Sequence, residues 1–118
     1  MSKKKKYQFW GTLGDIIDII RSLPPTPTQA FLEDWYEFVS EYNPVSFLHR
    51  EFWHKMTKLR VRFDVGKEGA HGFEGKDHWH IYNPFTKSKI DIYLDKDGNP
   101  VKDGSASSHI IPKKNGED

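Results

Sequence analysis

An α+β fold is what this 118-residue sequence predicts, with three N-terminal helices packed on one face of a C-terminal antiparallel sheet of three to five strands. Three observations lead there. Apolar residues recur every three or four positions up to about residue 58, they alternate with polar residues from residue 60 onward, and Pro, Gly, Asn and Asp gather at the joints between runs.

The first helix follows Gly14 and Asp15, with Ile16, Ile17, Ile19, Ile20 and Leu23 as its apolar stripe, and Pro24-Pro25 ends it. Thr26-Pro27-Thr28-Gln29 has the composition of a second helix start: a hydroxyl cap, Pro at the first helical position, and Gln three residues after the cap. Phe31, Leu32, Trp35, Phe38 and Val39 then form one face, with Glu33, Asp34, Glu37 and Glu41 on much of the other. Asn43-Pro44 restarts the chain. Val45, Leu48, Phe52, Met56 and Leu59 predict a third helix from about Pro44 to Lys58, which places His49 and His54 on it.

Period two takes over in Arg60-Val61-Arg62-Phe63-Asp64-Val65, and Gly66, Gly69 and Gly72 mark a loop. His78–Tyr82 and Lys89–Leu94 read as a hairpin joined through residues 83–88. Sharing the buried face sets Trp79 opposite Ile92, Ile81 opposite Ile90 and His80 opposite Asp91. Asp95–Pro100 is a turn in which Gly98 is free to take positive φ, and Val101 and Ser108–Ile111 offer short further strands. Val61, Phe63, Val65, Trp79, Ile81, Ile90, Ile92 and Leu94 then lie under the helices. Arg60, Arg62, Asp64, His78, His80, Tyr82, Lys89, Asp91 and Tyr93 lie on the opposite face.

Composition bounds what such a domain does. Residues 7–118 make one domain, a helical half of about 12–58 and a sheet half of about 60–112, behind a flexible Lys-rich arm at 1–6. The absence of cysteine excludes disulfides and thiolate metal sites. No apolar run is long enough for a membrane span and no hydrophobic signal region opens the chain, so the expectation is a protein without membrane or lipid partners, cytoplasmic when made. Net charge is +1, split between −4 over residues 7–57 (three Lys/Arg, seven Asp/Glu), +1 over 58–118 (eleven, ten) and four lysines at Lys3–Lys6.

The polar sheet face is the candidate site. His78 and His80, two apart on a strand, project side by side about 7 Å apart, and His71 in the Gly-rich loop or His109 near the end can reach them. Two chemistries suit these groups. One imidazole removes a proton from a ribose 2′-hydroxyl while another protonates the departing 5′-oxygen, with Lys or Arg steadying the phosphorane and no metal required. Alternatively, His78 and His80 with His71, His109 or Asp91 hold a divalent metal that activates water.

Residues 72–84 (Gly-Phe-Glu-Gly-Lys-Asp-His-Trp-His-Ile-Tyr-Asn-Pro), 91–101 and Ser108-His109-Ile110 resemble the C-terminal toxin modules of bacterial polymorphic and contact-dependent toxin systems. Many of these are small ribonucleases of the barnase, EndoU, colicin E5/D and RelE type. The resemblance covers about 45 residues of pattern; residues 12–58 match no such module. It implies a metal-independent endoribonuclease without cofactors, acting on RNA and held by a cognate immunity protein. His78, His80 and His109 are then catalytic, Arg60, Arg62, Lys89, Tyr93 and His71 bind substrate, and Asp91 orients an imidazole. The alternatives are a non-catalytic interaction protein, phage- or mobile-element-encoded, on the same scaffold, and a His-ligated metal-dependent nuclease or hydrolase.

Overall fold

The structure is a computed structural model that describes residues 8–38 and 49–112. Helix α1 (Leu13–Ser22) begins at a capping box: the Asp15 amide donates to the Thr12 hydroxyl at 3.1 Å, and the Thr12 amide donates to the Asp15 carboxylate at 2.8 Å. Ile16, Ile19 and Ile20 share one stripe and are buried, as the sequence predicts. The helix stops at Leu23, whose extended backbone suits the position before Pro24.

The other two predicted helices do not form as such. Helix α2 is a single turn, Gln29–Leu32, capped by Thr28 rather than Thr26. The chain then enters strand β1 (Trp35–Phe38). Phe31, Trp35 and Phe38 have helical spacing, but only the first two converge: their rings stack at 4.9 Å, while Phe38 is 48% exposed. A Trp-Tyr-Glu-Phe run suits a pleated, half-buried surface better than a helix. Val39 and Glu41 lie outside the described residues, as do the first residues of the predicted third helix.

Where that third helix was expected to continue, the chain forms strand β2 (His49–His54). Phe52 and Leu59 are fully buried but Met56, on the same supposed stripe, is 81% exposed. A tight turn carries the chain back, with Lys58 at φ 68° and its amide donating to the His54 carbonyl at 2.9 Å. Strands β3 (Arg60–Asp64), β4 (His78–Tyr82), β5 (Tyr93–Leu94) and β6 (Pro100–Val101) follow. Among the described residues all pair antiparallel in chain order, giving one six-stranded sheet rather than one of three to five strands.

The β4–β5 register also differs from expectation. Ile81 pairs with Leu94 and Tyr82 with Tyr93. The predicted pairs Trp79–Ile92, Ile81–Ile90 and His80–Asp91 are absent, because Lys89–Asp91 is a 3-10 turn. The Asp91 carboxylate causes this. It accepts hydrogen bonds from the Thr86 hydroxyl at 2.7 Å and from the amides of Ser88 at 3.0 Å and Lys87 at 3.1 Å, a local network that competes with strand pairing. Ile90 is left 73% exposed instead of in the core.

The division into two faces survives these changes. Val61, Phe63, Trp79, Ile81 and Leu94 join Ile16, Ile19, Ile20, Phe31, Trp35 and Phe52 in one core cluster. Among the described residues, no helix is long and apolar enough to cross a membrane.

Candidate active site

Cross-strand register assembles the polar face. Asp64 on β3 stands opposite both His49 on β2 and His78 on β4, and Arg62 stands opposite His80. The Asp64 carboxylate is the common acceptor. Arg62 grips it with two donors, Nε to Oδ1 at 2.8 Å and Nη2 to Oδ2 at 2.9 Å. His49 Nδ1 lies 2.9 Å from Oδ1, and His78 Nε2 and His80 Nε2 lie 3.5 and 3.3 Å from Oδ2. Arg62 also donates to the Tyr82 and Tyr93 hydroxyls at 3.3 and 3.4 Å, and the Tyr93 ring packs on His80 at 5.0 Å.

His109 reaches this group because β5 is short. It covers only Ile81 and Tyr82 of β4, so the open edge beside Trp79 is taken by Ile110, through backbone hydrogen bonds of 2.8 and 2.9 Å. The preceding residue then falls on the face of His78 and His80, and the His109 ring centroid lies 4.7 Å from each of theirs. Phe73 stacks on its other side at 5.4 Å. One ring nitrogen from each of the three histidines falls within 4.8 Å of the others. The loop that brings Phe73 folds tightly on itself: a Cβ on Gly66 would lie 2.6 Å from the Gly75 carbonyl oxygen, so glycine is required there. The histidines open onto a cleft of about 240 Å³, whose wall also includes Lys67, Glu74 and Asp103.

Hydrogen bonds fix the proton positions on two rings. His78 donates Nδ1–H to the Lys76 carbonyl at 2.8 Å, and His109 donates Nδ1–H to the Ser105 carbonyl at 3.0 Å, so Nε2 is the working atom of each. His80 is buried with Nδ1 lacking a hydrogen-bond partner among the described residues, so its proton belongs on Nε2, toward Asp64. Burial alone would neutralise His78, but the Asp64 carboxylate and the Lys76 and Phe73 carbonyls outweigh it and raise its pKa. For His80 burial prevails, reinforced by the positive charges of Arg62 and His78, and its pKa falls. Asp64 is also penalised by burial, yet hydrogen bonds from His78, His80, Arg62 and His49 hold it far below the usual carboxylate range.

These shifts set the pH dependence of stability. Asp64, depressed in the fold, stabilises fully above the unfolded carboxylate pKa of about 3.9 and progressively less as pH falls below it. His80, also depressed, costs stability once pH drops below about 6.5, where the unfolded imidazole protonates and the folded one resists. His78, raised, opposes it: its contribution is complete below about 6.5 and is lost as pH rises through its folded value. Urea unfolding should therefore show greatest stability near about pH 6.5, a decline to either side as His80 and His78 titrate, and a further fall below about pH 4 from Asp64. Undiminished stability at pH 3 would contradict the Asp64 assignment.

Of the residues singled out in the sequence, His78, His80 and His109 come together, with Arg62 and Tyr93 beside them. Arg60 is turned to Glu51 at 3.5 Å and to the Trp53 and Tyr82 rings, and does not line the cleft. Lys89 is exposed on the 3-10 turn, and His71 is exposed just before the Gly72–Gly75 turn. Asp91 orients no histidine; Asp64 has that position. The polar pair Arg62 and Asp64, alternating with buried Val61 and Phe63, was the signal for it. His49 was hidden by the helical reading of its segment.

The chain matches no family model, no curated protein and no solved structure.

Proposed function

We propose that this protein is a metal-independent endoribonuclease that cuts RNA by histidine general acid–base catalysis. One observation carries the reading: three imidazoles, one ring nitrogen from each within 4.8 Å of the others, meet around an anchored carboxylate at the wall of an open cleft. Imidazole serves as either acid or base near neutral pH, so neighbouring histidines on one cleft suit both roles.

In this scheme His109, its Nε2 lone pair facing no internal donor among the described residues, takes the proton of the ribose 2′-hydroxyl. The 2′-oxygen bonds to phosphorus and the bond to the 5′-oxygen breaks. His78, whose protonated form is favoured by Asp64 and the Lys76 carbonyl, gives its proton to that leaving oxygen. His80 completes a triangle with them, its ring 4.7 Å from His109 and 4.9 Å from His78, and shares Asp64 with His78. Lys67 on the cleft wall supplies positive charge for the phosphorane.

RNA is favoured as substrate because it brings its own nucleophile. The sequence has no cysteine, and among the described residues no serine or threonine lines the cleft. The Ser108 hydroxyl, next to His109, is fully buried and donates to the Ser105 carbonyl at 2.7 Å. The toxin role, a cognate immunity protein and action in the cytoplasm rest on the resemblance of residues 72–84, 91–101 and 108–110 to toxin modules.

The test is cleavage of single-stranded RNA by metal-stripped protein in EDTA. Cleavage should persist and leave 2′,3′-cyclic phosphate ends. Loss of cleavage in EDTA, with recovery on adding a divalent metal, would overturn the metal-free mechanism; no cleavage under any condition would leave the binding-protein alternative.

A further inference from the structure

We propose that His78, His80 and His109 also form a zinc-binding site whose occupation switches the enzyme off; the inhibition rests on the function above, the binding does not. The donor set comes first. Three imidazole nitrogens lie within 4.8 Å of one another, and zinc bound by nitrogen at about 2.0–2.1 Å spaces tetrahedral ligands roughly 3.4 Å apart. Closing the set brings the widest pair together by at most about 1.4 Å, shared between two side chains.

Two rings are oriented as metal-bound histidines are, each with Nδ1–H spent on a backbone carbonyl and Nε2 left as the donor. The third, His80, carries a buried nitrogen with no hydrogen-bond partner among the described residues. The 3.3 and 3.5 Å separations of Asp64 Oδ2 from His80 and His78 Nε2 are longer than charge-assisted hydrogen bonds of about 2.7–2.9 Å, so the carboxylate does not hold these nitrogens tightly. Asp64 also places negative charge against the ion.

An entry path exists, since His109 is only partly buried and the group lines an open cleft, which leaves the remaining coordination position to water. Imidazole and carboxylate donors without thiolate suit zinc. Inhibition follows from the atoms used. The Nε2 lone pairs of His109 and His78 are those that proton transfer needs, and a bond to zinc removes them.

Isothermal titration of zinc chloride into the metal-stripped full chain, with magnesium chloride as the control, tests binding; RNA cleavage with and without one equivalent of zinc tests inhibition. One zinc per chain should bind, magnesium should not, and His109→Ala should weaken zinc binding roughly tenfold or more. His109→Gln, checked for native circular dichroism, serves if the alanine variant does not fold. Zinc should cut the cleavage rate roughly tenfold or more. Absence of one-to-one binding, or binding indifferent to both His109 variants, overturns the site while leaving the enzyme intact. Bound zinc without effect on cleavage overturns the switch alone. Cleavage that requires zinc overturns both the switch and the metal-free mechanism, whereas zinc binding with no cleavage in either form removes the enzyme reading and leaves the site standing.

Discussion

Replacing His109 with alanine should lower the rate of RNA cleavage by about 10²–10⁴, the usual worth of one positioned proton-transfer group, with RNA affinity little changed. The fold should tolerate it. What ties this segment to the sheet is backbone, the pair of hydrogen bonds between Ile110 and Trp79, together with the buried Ile110 side chain; neither involves the imidazole. The losses are the Phe73 stack and the hydrogen bond to the Ser105 carbonyl. The comparison to make is single-turnover cleavage by wild-type and variant protein at matched RNA saturation. Equal rates would remove His109 from the chemistry and leave His78 and His80 to supply both acid and base. Truncating the chain at Ser108 is a poorer test, because it also deletes Ile110 from the core.

Replacing Asp64 with asparagine should destabilise the protein by about 3–5 kcal/mol, the cost of breaking a buried ion pair by removing one partner. Asparagine keeps the size but offers one acceptor oxygen where two now serve Arg62, His49, His78 and His80. Arg62 is held in place by this carboxylate, and its remaining partners, the Tyr82 and Tyr93 hydroxyls at 3.3 and 3.4 Å, are neutral. Urea unfolding at pH 7 measures the loss. The gap between the two proteins should narrow below about pH 4, where protonation penalises the wild type and leaves the variant unaffected. A change under about 1 kcal/mol at pH 7 would mean that Asp64 is screened as a surface pair is.

The candidate site was more legible in the sequence than the fold around it, for a physical reason. Alternation of polar and apolar residues depends only on the pleat, so Arg62, Asp64, His78, His80 and Tyr93 were assigned one face whatever paired with what. Pairing depends on competition with local structure. At Asp91 a carboxylate that reads as a strand residue instead collects the amides of residues 87 and 88 and winds the chain into a turn. The helical half failed differently. Phe31, Trp35 and Phe38 satisfy a period near 3.6, but so does a single helical turn followed by a strand, and α1 succeeded because its cap, its stripe and its Pro stop agree. Asp64 went unrecognised since strand-borne carboxylates are ordinarily solvated; only the arrival of β2 and β4 on either side makes it a shared acceptor.

The pairing of each strand with its sequence neighbour has a kinetic meaning. A meander closes only short loops, so the sheet is built from contacts that are cheap in chain entropy. The Trp79–Ile110 bridge is the exception, closing 31 residues at one stroke. Assembly of the histidine cluster and folding of the sheet are therefore separable: the segment around His109 is held by one bridge, whereas β1 to β4 are held by full strand pairing. The amides of Trp79 and Ile110, which hold that segment, are accordingly set to exchange their hydrogens through a smaller, faster opening than those between β2 and β3.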